Sequence, residues 1–359
     1  MKLGIAGQVK NHKPVSHGGI YSAGLGYDSK IIDFSSNVNP MGYPLSIIND
    51  LKKDYPLFSV YPDSDSTRLR NYLETYTGIS KDQIIIGNGA TEIIYNFCRA
   101  FLKGSKVLIP IPTFGEYESA AKLHGALVYF LKTMNLGKEI PKFLDVIPKN
   151  NCVFICNPNN PTGSLMKHED MLKIAETAYE KSVLLFVDEC FIEFVSNKKE
   201  SIVPQLREFD NLFVLRSLTK SFGLAGLRIG YGLGSSQMIK VLQKIKIPWN
   251  VSGFAQSMAI KALSNKLHLE KTRIVISRER KFLKESISKI NGFSCYDSDV
   301  NFLLVKCMKN SKYVQKKLLE KNILIRDCST FRGLNNKFIR VAVRTRKENL
   351  KLIKALKKL

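Results

Sequence analysis

From about Lys81 to Gly234, short apolar runs rich in β-branched residues alternate with amphipathic stretches. The runs are Ile84-Ile85-Ile86, Val107-Leu108-Ile109, Leu127–Leu131, Val153-Phe154-Ile155, Val183–Val187, Leu212–Leu215 and Leu227–Leu233. Runs this short and this uniformly apolar predict strands covered on both faces. Stretches with helical periodicity separate most of them: Thr91–Leu102, Glu116–His124 and His168–Lys181. The alternation predicts an α/β large domain whose mainly parallel sheet is sandwiched by helices. In such sheets ligands gather at the carboxyl ends of the strands.

Beyond Trp249 the pattern changes. One long helix is expected from about Ser252 to Ile290. Strand-like Phe302–Val305, a helix Ser311–Lys321, strands Ile323–Arg326 and Phe338–Val343, and a last helix Lys347–Lys358 follow. This reads as a smaller α+β carboxyl-terminal domain. The first forty or so residues are rich in Gly, Asn, Ser and Pro and read as an ordered arm. The expected divisions are residues 1–44 for the arm, contributing to the small domain and the active site, 45–250 for the large domain, and 251–359 for the small one.

Composition narrows the function classes. The 359 residues carry a formal charge of +24, which by itself suggests a nucleic-acid partner. The lysines are dispersed, however, and in the densest segments they punctuate apolar helix stripes such as Leu350, Ile353 and Leu356. No aromatics interleave with them as a base-stacking surface requires. The charge therefore reads as solvated surface, with no nucleic-acid partner. No apolar run reaches the roughly 18 residues that span a bilayer, and Met1-Lys2-Leu3-Gly4-Ile5-Ala6 has no signal-like core. Neither a membrane partner nor export is expected. Seven cysteines lie mostly in apolar runs, and the Cys152/Cys156 spacing does not fit a metal knuckle. They read as reduced thiols of a cytoplasmic protein that holds no metal.

Four motifs carry candidate chemistry. In Arg216-Ser217-Leu218-Thr219-Lys220-Ser221-Phe222-Gly223, a lysine leaves an apolar strand among small hydroxyl residues, and Arg228 follows. Burial can lower such a lysine's pKa and make it a nucleophile toward carbonyls. Ser217, Ser221 and Arg228 suit a phosphate. In isolation the segment is equally a surface lysine in a Gly-rich loop. Val187-Asp188-Glu189 ends a strand with a carboxylate, which alone could be a helix cap. Asn157-Pro158-Asn159-Asn160-Pro161-Thr162-Gly163 could be a bare turn, or Asn160 a donor to a ring oxygen. Gly87-Asn88-Gly89-Ala90-Thr91-Glu92 opens a helix, where backbone N–H groups and the helix dipole favour a phosphate.

In this order, and each at a strand end, the four motifs resemble the fold-type I pyridoxal 5′-phosphate (PLP) enzymes, the aspartate-aminotransferase-like class, over essentially the whole chain. The resemblance implies PLP as cofactor, Lys220 as the Schiff-base lysine and Asp188 as partner of the pyridine nitrogen. It makes Asn160 the donor to the ring oxygen and Phe114 the aromatic stacked on the ring. Gly89, Ala90, Thr91, Ser217 and Arg228 become the phosphate cup. Tyr61, in Tyr61-Pro62-Asp63, resembles the tyrosine that reaches the phosphate from a partner subunit, which implies a homodimer. Arg340 resembles the arginine that grips the substrate's acidic end.

Within that class the chain is most similar to the L-threonine-O-3-phosphate decarboxylase and histidinol-phosphate aminotransferase families. His17-Gly18-Gly19 with Asp33-Phe34-Ser35-Ser36-Asn37-Val38-Asn39-Pro40-Met41-Gly42 resembles the amino-terminal signature of the decarboxylases. Ile325-Arg326 through Leu334, and Ile339–Thr345, resemble their carboxyl-terminal pattern. Phe191 stands where the aminotransferases usually carry a tyrosine. The resemblance thus implies decarboxylation of threonine phosphate in cobalamin biosynthesis, with His17, Asn39, Gly42, Asn160, Arg326 and Arg340 toward the substrate. The alternative is amino transfer between histidinol phosphate and 2-oxoglutarate in histidine biosynthesis.

Overall fold

The computed structural model describes residues 6–27, 30–49 and 51–359. The strands in chain order are β1 (Ile32–Asp33), β2 (Ile84–Asn88), β3 (Lys106–Ile111), β4 (Leu127–Lys132), β5 (Cys152–Cys156), β6 (Leu184–Asp188), β7 (Leu212–Ser217), β8 (Ile229–Leu233), β9 (Phe293–Cys295), β10 (Phe302–Cys307), β11 (Ile323–Leu324), β12 (Arg326–Asp327) and β13 (Phe338–Ala342). Seven form the large sheet, in the order β2-β8-β7-β6-β5-β3-β4. Pairings from β4 through β7 are parallel, while β8 runs antiparallel to both β7 and β2.

Period-two alternation splits each central strand between two cores. Val153, Ile155, Leu185, Val187, Leu212 and Val214 face one core. Cys152, Phe154, Phe186, Phe213 and Leu215 face the other. Because both faces are buried, the strands are apolar throughout, as the sequence pattern requires. The parallel strands end on one edge, which collects Cys156, Asp188 and Ser217. The antiparallel β8 begins at that same edge, so Arg228, just before it, joins them.

The small domain is a four-stranded antiparallel sheet, β12-β13-β10-β9, with a third core around Phe34, Leu303, Val341 and Leu352. The arm is tied into it: β1 pairs with β11 in parallel. The one long helix expected after Ser252 is instead two, Gly253–Ser264 and Lys266–Ser288. They break at Asn265, whose side chain accepts the His268 N–H and caps the second. The first helix packs Ala255, Met258, Ala259 and Leu263 into the large-sheet core, whereas Leu283 and Ile287 of the second reach the small-domain core. The second helix thus reaches from the large-sheet cores, through Leu269 and Ile276, to the small-domain core. Among the described residues no helix is long and apolar enough to cross a membrane, and no His, Cys, Asp and Glu cluster could hold a metal.

Candidate active site

A cavity of about 300 Å³ opens where the carboxyl edge of the large sheet meets the arm and the small domain. Lys220, Asp188, Asn160, Phe114, Ala90, Thr91, Ser217 and Arg228 line one side; His17, Arg326 and Arg340 line the other. These eleven sequence-chosen residues, spread over more than 300 positions, converge on one space.

Lys220 lies in the short helix Leu218–Ser221 that leaves β7, capped by the Ser217 side chain. Burial, and then the nearby cations Arg340 and Arg228, lower its amine to about 8. Asp188 ends β6 and is buried to 4% exposure. Its Oδ2 accepts the Tyr117 hydroxyl at 2.6 Å and its Oδ1 accepts the Cys190 N–H at 2.8 Å. Burial pushes this carboxyl upward, against the pull of those hydrogen bonds.

At the start of the helix Gly89–Phe101, Ala90 and Thr91 line the cavity together with Ser217 and Arg228. Gly89 sits at φ +78°, and a Cβ there would come within 2.5 Å of Arg228 Nη2. Gly89 is thus required for the approach of Arg228 rather than as part of the cavity wall. Arg228 itself has a left-handed φ of 51°, a conformation that arginine adopts only when its surroundings enforce it.

The opposite wall is cationic. Arg340 is buried; its Nη1 donates to Asn160 Oδ1 and its Nη2 to Ser35 O at 2.8 Å, while its Nε has no partner. Burial lowers it to about 10. Arg326 donates to the Ser16 carbonyl and to Thr330 Oγ1 at 3.0 Å, and burial lowers it too. Among the described residues neither arginine has a carboxylate ion-pair partner. His17 stands at the rim, its Nε2 2.7 Å from Glu116 Oε1.

Asn39 and Gly42 do not line the cavity. The Asn39 side chain is buried beneath Lys220, donating to Ser221 O at 2.7 Å and Thr272 Oγ1 at 2.9 Å, and its N–H donates to Lys220 O. Gly42 supplies a left-handed turn at φ +70°, against which Gly223 packs so closely that a Cβ on Gly223 would meet the Gly42 backbone at 2.5 Å. Both support the lysine turn from behind. Asn37 takes the wall position instead, and its Oδ1 is buried without a donor. In an Asn-x-Asn segment, spacing alone does not say which asparagine turns inward. Tyr61 is 82% exposed, packs at a tilt against Trp249 at 4.9 Å, and lies outside this chain's own cavity. Arg332 and Arg344, which fall within the carboxyl-terminal pattern, are engaged elsewhere, with Glu118 and with Glu348.

Phe191 lines the cavity and packs edge-on against Phe302 at 5.1 Å, so no hydroxyl is offered from that position. Tyr117, Glu116 and Asn37 are site residues whose roles the local sequence does not show. Their signal is tertiary: Tyr117 meets Asp188 and Glu116 meets His17, 71 and 99 positions away, while Asn37 is brought to the cavity wall by the fold.

Comparison with known proteins shows the family. The family model described as aminotransferase class I and II matches residues 29–356. A protein of Caldanaerobacter subterraneus, provisionally named a threonine-phosphate decarboxylase, is 40% identical over 96% of this chain and 94% of its own length. The structure of the histidinol-phosphate aminotransferase from Clostridium acetobutylicum is similar with a TM-score of 0.86 at 34% identity, covering 91% of this chain and 98% of that one. That of the L-threonine-O-3-phosphate decarboxylase from Porphyromonas gingivalis is similar with a TM-score of 0.84 at 26% identity, covering 91% and 99%. The chain belongs to the class I and II aminotransferase family, whose cofactor is pyridoxal 5′-phosphate.

Proposed function

We propose that this protein decarboxylates L-threonine O-3-phosphate to (R)-1-aminopropan-2-yl phosphate and CO₂, as a cytoplasmic homodimer serving cobalamin biosynthesis. The observation that carries the reading is the pair of buried arginines, Arg326 and Arg340, facing the cavity with no carboxylate partner among the described residues. An unpaired buried guanidinium costs several kcal/mol. That cost is offset when an anion arrives, and two such groups suit a substrate with two anionic ends, a phosphate and a carboxylate. Phe191 and the 40% identical relative add support.

The residues present fit the cofactor. Lys220, with a depressed pKa, is the amine that would hold it. The Ala90 and Thr91 region at the helix start, with Ser217 and Arg228, would hold its phosphate. Phe114 would cover a ring face, Asn160 would meet the ring oxygen, and Asp188 the ring nitrogen. When bound, the cofactor supplies a ring that accepts the electron pair left at Cα.

This chain's residues then do the selecting. The bond that breaks at Cα is the one held perpendicular to the ring. Arginines that grip the phosphate fix the substrate's far end and so decide which bond stands upright. His17 at the rim and Asn37 with its free acceptor oxygen restrict the pose further. Lys220, neutral in part near pH 8, can take and return a proton at Cα. Exposed Tyr61, in a segment that also exposes Tyr55 and Phe58, suits a contribution to a second subunit's phosphate cup.

The test is purified protein with PLP and threonine phosphate. Release of CO₂ supports the reading. Absence of CO₂, with amino transfer from histidinol phosphate to 2-oxoglutarate, overturns it in favour of the aminotransferase, a reading favoured by the likeness to the Clostridium structure.

A further inference from the structure

Asp188 has a problem that its proposed role does not solve. To stand opposite a positively charged ring nitrogen it must carry its own charge, yet it is fully enclosed and has no cationic partner among the described residues. A buried carboxylate in that position tends to take up a proton and become neutral. Donors from two residues oppose this. Cys190 offers its thiol and its N–H, the latter present whatever side chain stands there. Tyr117 offers its hydroxyl, at 2.6 Å from Oδ2.

Tyr117 is held in place with little freedom. It lies in the first turn of the helix Glu116–Leu123 and is 0% exposed. Its ring stacks on Phe154 at 5.4 Å and 21°, and meets Phe114 edge-on at 5.6 Å and 80°. Phe114 is the residue placed to cover the cofactor ring, so Tyr117 touches both that aromatic and the carboxylate. The ring cannot swing away without displacing the core aromatics. Burial also pushes the Tyr117 hydroxyl well above its usual range, so it remains a donor at every working pH. With one fixed donor on each oxygen, the carboxylate plane is locked and its remaining lone pairs are directed by the protein.

We infer that Tyr117 is a positioning residue that keeps Asp188 ionised and oriented, and thereby sets the protonation of the cofactor's ring nitrogen. The inference rests on Asp188 being the partner of that nitrogen. Tyr117 is not itself catalytic, since it acts only through the carboxylate.

The experiment compares the wild type with Tyr117→Phe and Asp188→Asn, each loaded with ¹⁵N-labelled PLP. The ¹⁵N chemical shift against pH reports protonation of the ring nitrogen, and titration of apo-protein with PLP gives affinity. Removing one hydrogen bond to a charged group predicts roughly ten- to a hundredfold weaker cofactor binding for Tyr117→Phe. It also predicts a ring nitrogen that loses its proton at a lower pH than in the wild type. A thermal melt of the apo-protein establishes folding, since Phe keeps the stacking area. If that variant does not fold, fluorotyrosine at position 117, a more acidic donor of the same shape, must move affinity and shift in the opposite sense. Unchanged ¹⁵N titration and affinity in Tyr117→Phe, with a large change in Asp188→Asn, overturn the inference while leaving the Asp188 reading intact. No change in Asp188→Asn sinks the Asp188 reading, and this inference with it.

Discussion

The amine of Lys220 makes the apo-protein less stable than it need be, and the size of that penalty follows from the structure. Its pKa falls from the 10.5 of a free lysine to about 8, first through burial and then through Arg340 and Arg228. That difference of about 2.5 units at about 1.4 kcal/mol each is about 3 kcal/mol. The half-buried amine borders the open cavity and is partly screened by solvent, so on the order of 2–3 kcal/mol is expected. The sign follows from proton counting. Below pH 8 both folded and unfolded chains hold the proton, and the folded state carries the full penalty. Between 8 and 10.5 the unfolded chain binds more protons, so stability rises with pH. Lys220→Met keeps the side chain's length and removes the charge. Apo Lys220→Met should therefore be the more stable protein at pH 7, and the difference should vanish as pH approaches 10.5. Urea unfolding of both apo-proteins at four pH values between 7 and 10.5 measures this, and the comparison cancels the other titrating groups. Equal or lower stability of Lys220→Met at pH 7 would refute the argument. It would mean that the lysine is not held in a low-dielectric, cationic setting, and its readiness as a nucleophile near neutral pH would lose its physical basis.

Other substitutions test the remaining walls of the site. Arg340→Lys keeps the charge but loses the planar fork and its free Nε, one or two charge-assisted hydrogen bonds, so kcat/KM for threonine phosphate should fall by roughly 10- to 1000-fold; steady-state kinetics check this, and an unaltered value would remove Arg340 from substrate binding. Arg332→Lys, whose arginine bonds Glu118 and overlies Phe130, should leave those kinetics unchanged. Asn39→Ala should lower stability by about 1–3 kcal/mol by stranding Ser221 O and Thr272 Oγ1, with KM unaffected; urea unfolding and kinetics separate the two effects. Gly89→Ala should weaken PLP affinity at least tenfold in a cofactor titration, because its Cβ displaces the Arg228 guanidinium and its φ of +78° is strained for alanine.

The legible part of this protein is the part written in short-range pattern. Apolar runs of strand length, separated by helix-period stretches, determine a covered parallel sheet because only that arrangement buries both faces of each strand. The motifs ending at Asn160, Asp188 and Lys220 are readable because strand ends are where such sheets bind ligands. The break at Asn265 was not legible, because the flanking helical periodicities are nearly continuous and only a side-chain cap separates them. Nor was the exchange of roles between Asn37 and Asn39, since both occupy one extended segment. There, packing against Thr272 and Ser221 decides which side chain turns to the lysine turn and which to the cavity.

What tertiary structure alone decided is the electrostatics. Asp188 and Tyr117 are 71 residues apart, His17 and Glu116 are 99 apart, and Arg340 and Asn160 are 180 apart. Composition shows an abundance of cations but not which of them are buried without carboxylates. Arg332 and Arg340 look alike in the chain, yet one meets Glu118 at the surface and the other faces the cavity unpaired. The sequence determined where reactive groups would be presented, because hydrophobic periodicity is local. Their charges and orientations were left to the fold, because burial and long-range partners are properties of three-dimensional neighbours.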